Sequence, residues 1–281
     1  MTDPEPGHED TGPLAAEVVE AAVAAVPAPP AIVVQDLTKV FRQRTAVDGL
    51  SFSVGRGRFF GFLGPNGAGK STTIRMLTGL LRPTAGRASI EGLDVAEDPL
   101  GVKRIIGVLP EELPLYDRLT GEEYLHFAAR MYGLSRAETR GRTDELLQFL
   151  SLTEDRGRLV VDYSQGMRKK LALAAALIHN PRVLFLDEPL NGIDPVSGRI
   201  VTDLLRRLAA RGVTLFFTSH VLDVVERLCD EVAVIDHGRI VAQGTLDSIR
   251  AERELGHNAS LEDVFLKLVA ADVVREDLSW V

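Results

Sequence analysis

The sequence predicts an α/β fold in which a parallel β-sheet carries helices on both faces. The first observation is a series of short, almost wholly apolar runs, typical of strands buried on both faces. They are "GRFFGFLG" at 57–64, "RVLFLDEP" at 182–189, "VTLFFTSH" at 213–220 and "EVAVID" at 231–236. The second observation is that helical stretches lie between these runs, such as the amphipathic "PVSGRIVTDLLRRLAA" at 195–210. Strands that alternate with helices in this way favour a parallel sheet.

The first ordered part of the chain predicts a small antiparallel lobe. Order is expected to begin at "AIVVQDLTKVF", from Ala31, and the alternating "LSFSV" at Leu50–Val54 is typical of a half-buried strand. "GRASIEGLDV" at 86–95 predicts a hairpin. Before this lobe, residues 1–30 are acidic and rich in Ala and Pro, which predicts a disordered extension with room for a short helix at Leu14–Val26.

The rest of the chain adds helices to the strands. We expect a helix from Lys70 to Leu81, a buried strand in "KRIIGVLP", a helical insertion at about 111–163 and a long helix from Gln165 to His179. The amphipathic "SLEDVFLKLVAA" predicts a further helix within a C-terminal helical tail, 246–281.

The charge pattern argues against a nucleic-acid-binding surface. The formal net charge is -8, and residues 1–30 hold six acidic side chains and no Lys or Arg. Of the 40 acidic residues in the chain this leaves 34, against 32 basic residues. The remainder is therefore nearly neutral, without the basic stripe that nucleic acids require.

Cysteine content and hydropathy indicate the compartment. The single cysteine, Cys229, excludes a disulfide within the chain and fits a reducing environment. Its helical spacing with Leu222 and Val225 predicts core packing rather than a reactive thiol. The apolar stretch Ala15–Val34 contains two glutamates and three prolines, so we expect neither an export signal nor a membrane span.

The segment "GPNGAGKST" has the pattern of a phosphate-binding loop between a strand and a helix. Its glycines let successive backbone N–H groups wrap an anion, and the helix N-terminus adds partial positive charge. Lys70 is expected to reach the β- and γ-phosphates, and the Ser71 hydroxyl to ligate Mg²⁺. The predicted nucleotide-binding residues are Gly64, Pro65, Asn66, Gly67, Ala68, Gly69, Lys70, Ser71 and Thr72.

Three polar residues follow the apolar strands at what should be the same sheet edge. Asp187 ends "VLFLD", where a carboxylate can hold Mg²⁺, and Glu188 is a candidate general base for an attacking water. His220 ends "TLFFTSH" and is placed to hydrogen-bond a γ-phosphate. We therefore predict Lys70, Glu188 and His220 as the catalytic residues.

Ser164, just before the helix that leads to Asp187, is a good N-cap. Taken alone, "YSQGMRKKL" is no more than a capped helix with three basic residues on its first turns, Arg168, Lys169 and Lys170. Its place ahead of the Asp187 strand favours a functional role.

Taken together, these motifs resemble the ATP-binding subunits of ABC transporters over about Ile32 to Gly244. Gly64–Ser71 corresponds to the family's Walker A motif, Leu184–Glu188 to Walker B, Asn191–Asp194 to the D-loop and His220 to the switch histidine. The resemblance implies a P-loop α/β ATPase core at 31–245 with an antiparallel β lobe and an inserted α-helical subdomain.

The same resemblance implies a site shared between two copies of the chain. "YSQGM" stands where the family has Leu-Ser-Gly-Gly-Gln, a loop that closes over the ATP of a second subunit. Ser164, Gln165, Gly166 and Asp194 are thereby implied to contact nucleotide across a homodimer. Phe41 stands where the family stacks an aromatic ring on adenine.

Two variants and the tail narrow the resemblance to type-two ABC exporters. Glu111 stands where the family usually has Gln, and it is implied to reach Mg²⁺ and water; Tyr163 is the second variant. The resemblance implies ATP and Mg²⁺ as cofactors. It also implies a separate membrane-spanning permease that docks near Glu111–Leu119 and holds this chain at the cytoplasmic face of the membrane.

Other functions stay open from sequence alone. A soluble ABC ATPase that acts on ribosomes or DNA usually has two cassettes, long coiled coils or basic arms, and this chain has one Walker A motif. Another P-loop enzyme, such as a small-molecule kinase, would not need the Ser164 loop, Asp194 or His220. A regulatory or immunity ATPase that never transports has no feature that separates it from an exporter subunit.

Overall fold

The computed structural model describes residues 29–252 and 259–269. The predicted extension therefore lies outside the described residues except for its last two positions. So do the expected helix at Leu14–Val26 and most of the predicted tail after residue 252. The division of the chain into an extension, a cassette and a tail stays a prediction.

The described strands form a small antiparallel sheet and a larger, mostly parallel one. The ten strands are β1 (Ile32–Phe41), β2 (Arg44–Val54), β3 (Phe59–Leu63), β4 (Ala85–Ile90), β5 (Leu93–Asp94), β6 (Ile106–Leu109), β7 (Val183–Asp187), β8 (Thr214–Thr218), β9 (Glu231–Asp236) and β10 (Arg239–Gly244). The small sheet has the order β2-β1-β4-β5, and the larger sheet has the order β10-β9-β3-β8-β7-β6. All pairs in the larger sheet are parallel except β9 with β10.

Helices cover the larger sheet and form the predicted insertion between β6 and β7. Those described are α1 (Lys70–Leu77), α2 (Pro99–Ile105), α3 (Gly121–Met131), α4 (Arg136–Phe149), α5 (Gln165–Leu177), α6 (Pro195–Ala210), α7 (Leu222–Leu228), α8 (Leu246–Glu252) and α9 (Leu261–Val269). None of the described helices is both long enough and apolar enough to cross a membrane.

The two sheets share one aromatic core, which attaches the small sheet to the larger one. Phe52 of β2 stacks on Phe60 and Phe62 of β3 and on Phe216 of β8, with ring centroids 5.8, 5.8 and 6.1 Å away. Aromatic pairs at this separation add to the stability that burial of their area provides. All five residues of β3 are buried, as expected for a central parallel strand covered on both faces.

Local sequence signals explain where the insertion helices begin. Thr120 caps α3 and Ser135 caps α4, and each forms a capping box with a glutamate three residues later, Glu123 and Glu138. The predicted helical insertion is thus occupied by two capped helices and the short 3₁₀ turn Val160–Asp162.

Three boundary predictions were wrong. The first three residues of "KRIIGVLP" belong to α2, which starts where the Asp98 carboxylate accepts from the Gly101 N–H at 2.8 Å. The strand β6 therefore begins only at Ile106. The first helix ends at Leu77, since Gly79 turns the chain at φ 69°. The helix from Gln165 ends at Leu177, two residues before the predicted end at His179. In addition, the strand β10 was not predicted.

Cys229 packs against the apolar core, as its spacing predicted. Burial raises the pKa of its thiol well above the ordinary value, and the neighbouring Asp230 adds to the shift. Both effects disfavour the thiolate, the reactive form of a cysteine.

Candidate functional site

The carboxyl ends of β3, β7 and β8 open into a cleft of about 1000 Å³. Open α/β sheets bind ligands at this edge. The predicted residues that line it are Phe41, Gly64, Pro65, Asn66, Gly67, Gly69, Lys70, Ser71, Thr72, Glu111, Asp187, Glu188 and His220. A cleft of this size is in the usual range for a small-molecule ligand.

The glycine loop follows the end of β3 and leads into α1. Gly64 has no room for a β-carbon, which would collide with the Ile235 carbonyl of the neighbouring strand. Gly69 has φ 113°, a conformation that favours glycine, and it is the N-cap of α1. Ala68 is predicted to bind nucleotide, but its side chain is buried in the apolar core. Its backbone lies in the loop.

The Lys70 ammonium lies inside this loop. Its Nζ donates to the carbonyls of Gly64 at 2.7 Å and Pro65 at 3.2 Å. Burial lowers the pKa of Lys70, while Glu188, Asp187 and Glu111 oppose that shift. The buried ammonium and the backbone N–H groups of the loop are suited to an anionic ligand. The carboxylates opposite are suited to a metal ion bound to that ligand.

Asp187 is held by the neighbouring strand. The Thr218 hydroxyl donates to Asp187 Oδ1 at 2.7 Å and accepts from the Glu188 N–H at 3.1 Å. Asp187 and Thr218 are paired residues at the ends of β7 and β8. One buried hydroxyl thus orients the carboxylate and the start of the next turn.

Glu188 and His220 form a polar pair at the cleft. Nδ1 of His220 lies 2.9 Å from Glu188 Oε2, a distance at which a ring N–H donates to a carboxylate. The Glu188 carboxylate is buried, whereas about half of the His220 side chain is exposed. Glu188 has φ 49°, an uncommon conformation for a residue with a side chain.

Phe41 and Arg44 lie at the mouth of the cleft. They face each other across the turn between β1 and β2. The Phe41 side chain is 46% exposed, so this aromatic is not a core residue. The Lys39 ammonium lies 5.1 Å from the centroid of its ring.

The Ser164 loop lies outside the cleft of its own chain. Ser164 caps α5, its hydroxyl accepting from the Met167 N–H at 3.3 Å. Among the described residues, the cleft lining includes neither Ser164 nor its neighbours Gln165 and Gly166, nor Asp194. The structure thus divides the predicted nucleotide-binding residues between two places.

Gln165, Gly166 and Asp194 pack together with the loop after Glu188. A β-carbon at Gly192 would lie 2.6 Å from Gln165 Nε2, so the Gln165 amide covers that glycine. A β-carbon at Gly166 would lie 3.5 Å from Asp194 Oδ2. Asp194 caps α6 by accepting from the Val196 and Ser197 N–H groups, and chiefly the Ser197 bond lowers its pKa.

Tyr163, the residue before this loop, has a structural role. Its hydroxyl donates to the Asp155 carbonyl at 2.7 Å, and the same hydroxyl oxygen leaves no room for a side chain at Gly121. Burial raises its pKa. These two contacts fix the residue before the Ser164 loop against Asp155 and against Gly121 at the start of α3.

Sequence reasoning missed four polar residues at or beside the cleft: Arg44 and Ser219, which line it, and Thr218 and Lys169, which bond to Asp187 and to the turn after it. The parallel-edge argument that found His220 could also have found Thr218, which lies two residues earlier on β8. Arg44 is not part of any motif recognised in the sequence. Lys169 gave no signal, because a basic residue on the first turns of a helix is usually exposed.

Comparison with known proteins gives a consistent assignment. Residues 47–191 match the family described as ABC transporter. The chain is 45% identical over 228 residues to the daunorubicin/doxorubicin resistance ATP-binding protein DrrA of Streptomyces peucetius, covering 81% of this chain and 68% of that protein. It is 40% identical over 211 residues to the linearmycin resistance ATP-binding protein LnrL of Bacillus subtilis, covering 75% and 68%.

A solved structure agrees with the sequence comparisons. It is described as the ATP-binding subunit of an ABC transporter and superposes with a TM-score of 0.80 at 34% identity. The match covers 84% of this chain and 98% of that one. The α/β core, the antiparallel lobe and the helical insertion are therefore the fold of that class.

Proposed function

The chain belongs to the ABC transporter family of ATP-binding subunits, and from that premise we propose that two copies bind ATP head to tail and power export through a separate membrane-spanning partner. ATP binding and hydrolysis are the family's activity. The cleft at the carboxyl ends of the strands is the proposed site for ATP. The proposal of a head-to-tail dimer rests on one observation: Ser164, Gln165 and Gly166 lie outside the cleft of their own chain. A second copy would supply this loop to each ATP.

Mg²⁺ fits the oxygen groups at the cleft. The Ser71 hydroxyl and the Asp187 carboxylate both line it, and hard cations of this size prefer oxygen ligands. These two residues would hold Mg²⁺, which neutralises charge on the β- and γ-phosphates when bound. Glu111 lines the same cleft from the loop after β6 and would contact the metal or its water.

Glu188 would act as the general base. Its carboxylate lies beside the phosphate loop and is held by the His220 ring, so it is oriented before a water arrives. The base would accept a proton as the water attacks the γ-phosphorus. Lys70 would stabilise the negative charge on the phosphoryl group during transfer.

An exposed aromatic cluster is the proposed docking surface for the partner. Tyr116, in the loop before α3, packs on Phe127 and Tyr124 of α3 with ring centroids 5.2 and 6.1 Å away. Tyr116 and Phe127 nevertheless stay 55% and 43% exposed. Contiguous exposed apolar groups mark interaction sites, and Tyr116 itself lies within Glu111–Leu119, near which the partner is predicted to dock.

The relatives support export as the direction of transport. Those named above are drug-resistance proteins, and a further one, 43% identical, is a Nod factor export protein. We therefore propose export rather than import, with this chain held at the cytoplasmic face of the membrane by its partner.

Affinity capture tests the partner. Tagged Glu188→Gln, loaded with Mg-ATP, is incubated with gently solubilised host membranes, and the co-purifying proteins are identified. We expect a polytopic membrane protein at near-stoichiometric amount, and its loss when Tyr116→Ser is added, because that change removes the exposed ring. Recovery of soluble proteins alone, such as ribosomal or DNA-bound ones, would refute the transport role while leaving the ATPase intact.

A further inference from the structure

Lys169 is a buried lysine that the proposed chemistry does not use. It lies on the second turn of α5, five residues after the cap Ser164, and the residue is only 4% exposed. Its Nζ donates to the Glu188 carbonyl at 2.6 Å and to the Asn191 carbonyl at 2.5 Å. Buried lysines are rare unless paired, so these two bonds account for its burial.

Both of these bonds end on one turn, residues 188–191. The Asn191 N–H also donates to the Glu188 carbonyl, at 3.2 Å, so this oxygen accepts from the turn and from Lys169 at once. The backbone of Glu188 is in the left-handed region, which a residue with a side chain adopts only where its surroundings hold it there. Two charge-assisted bonds at the first and last residues of the turn would hold it.

Glu188 is also held at its carboxylate and at its N–H. Its carboxylate contacts His220, its N–H donates to Thr218, and Lys169 holds its carbonyl. Lys169 does not line the cleft, so it has no direct contact with nucleotide there. Its hydrogen bonds reach the base through the backbone, and its positive charge also interacts with the carboxylates of Glu188, Glu111 and Asp187.

We propose that Lys169 is a positioning residue that clamps the Glu188–Asn191 turn to the helix of the Ser164 loop and so sets the orientation of the general base. This inference rests on the proposed role of Glu188. Without the ammonium, the turn loses both side-chain donors and the carboxylate leaves the geometry needed for water attack. Small displacements of a catalytic group are costly, about 10²-fold in rate for about 1 Å.

The test is Lys169→Met, which keeps the length of the side chain and removes the donor. We expect kcat for ATP hydrolysis to fall about 10- to 100-fold, with the Kd for ATP within about twofold of wild type, because the cleft is untouched. Lys169→Arg, which restores a cation able to donate to two carbonyls, should recover part of kcat. Thermal unfolding is measured on every variant.

Lys170→Met is the matched control. It removes the same charge one residue further along α5, and within the described residues Lys170 makes no hydrogen bond to the Glu188–Asn191 turn. We expect kcat close to wild type.

Two results would overturn the proposal. The first is an unchanged kcat in Lys169→Met. The second is a loss of ATP affinity that matches the loss of kcat, which would show a general structural role. Failure of the proposed function would look different: wild type without ATPase activity, or full activity in Glu188→Gln.

Discussion

Glu188→Gln reduces kcat for ATP hydrolysis by about 10²- to 10⁴-fold and leaves ATP binding intact. The amide keeps the shape of the side chain and still faces His220, but it accepts no proton from the attacking water. The measurement is phosphate release under saturating Mg-ATP, with the Kd for ATP determined separately by titration.

Glu97→Gln is the matched control for that change. Glu97 is exposed in the loop before α2 and lies outside the cleft lining, so the same loss of charge there should leave kcat unchanged. Wild-type kcat in Glu188→Gln would exclude Glu188 as the base and would direct attention to Asp187 or Glu111.

Lys70→Met weakens ATP binding by about 10- to 150-fold, since a hydrogen bond from a charged group is worth about 1.5–3 kcal/mol. The ammonium lies inside the phosphate loop, where it now donates to the Gly64 and Pro65 carbonyls and would exchange those bonds for phosphate oxygens. Loss of kcat accompanies the loss of affinity, because the same charge stabilises the transferred phosphoryl group. The Kd is measured by titration with ATP and with ADP.

The comparison of the two nucleotides sharpens the Lys70 prediction. If the ammonium reaches the γ-phosphate, Lys70→Met should weaken ATP more than ADP. Lys103→Met serves as the control, because Lys103 is an exposed residue of α2 outside the cleft. Equal binding of ATP by wild type and Lys70→Met would contradict the proposed contact.

The sheet and most cleft residues were predictable because their signals are local. Fully apolar runs mark strands buried on both faces, and parallel strands bring residues at their ends to one edge. That argument alone gathers Gly64, Asp187, Glu188 and His220. The capping residues Thr120 and Ser135 can also be recognised from the sequence, because each is followed three residues later by a glutamate.

The contacts that the sequence did not predict join residues that are far apart in the chain. Nothing in "YSQGMRKKL" indicates that Lys169 turns inward to bond two carbonyls some twenty residues later in the chain. The contact of Gln165 was equally unpredictable from sequence, because only the fold shows that its amide covers Gly192. The start of β6 was misplaced because the capped helix α2 competes with the β-branched run that follows it.

Sedimentation velocity of the Glu188→Gln variant tests the head-to-tail dimer most directly. With Mg-ATP we predict a species of twice the monomer mass, and without nucleotide a monomer. Adding Ser164→Glu should restore the monomer in Mg-ATP, because a carboxylate there would face the other chain's γ-phosphate and repel it. A chain that stays monomeric with saturating ATP, or a dimer that Ser164→Glu does not disturb, would contradict the account.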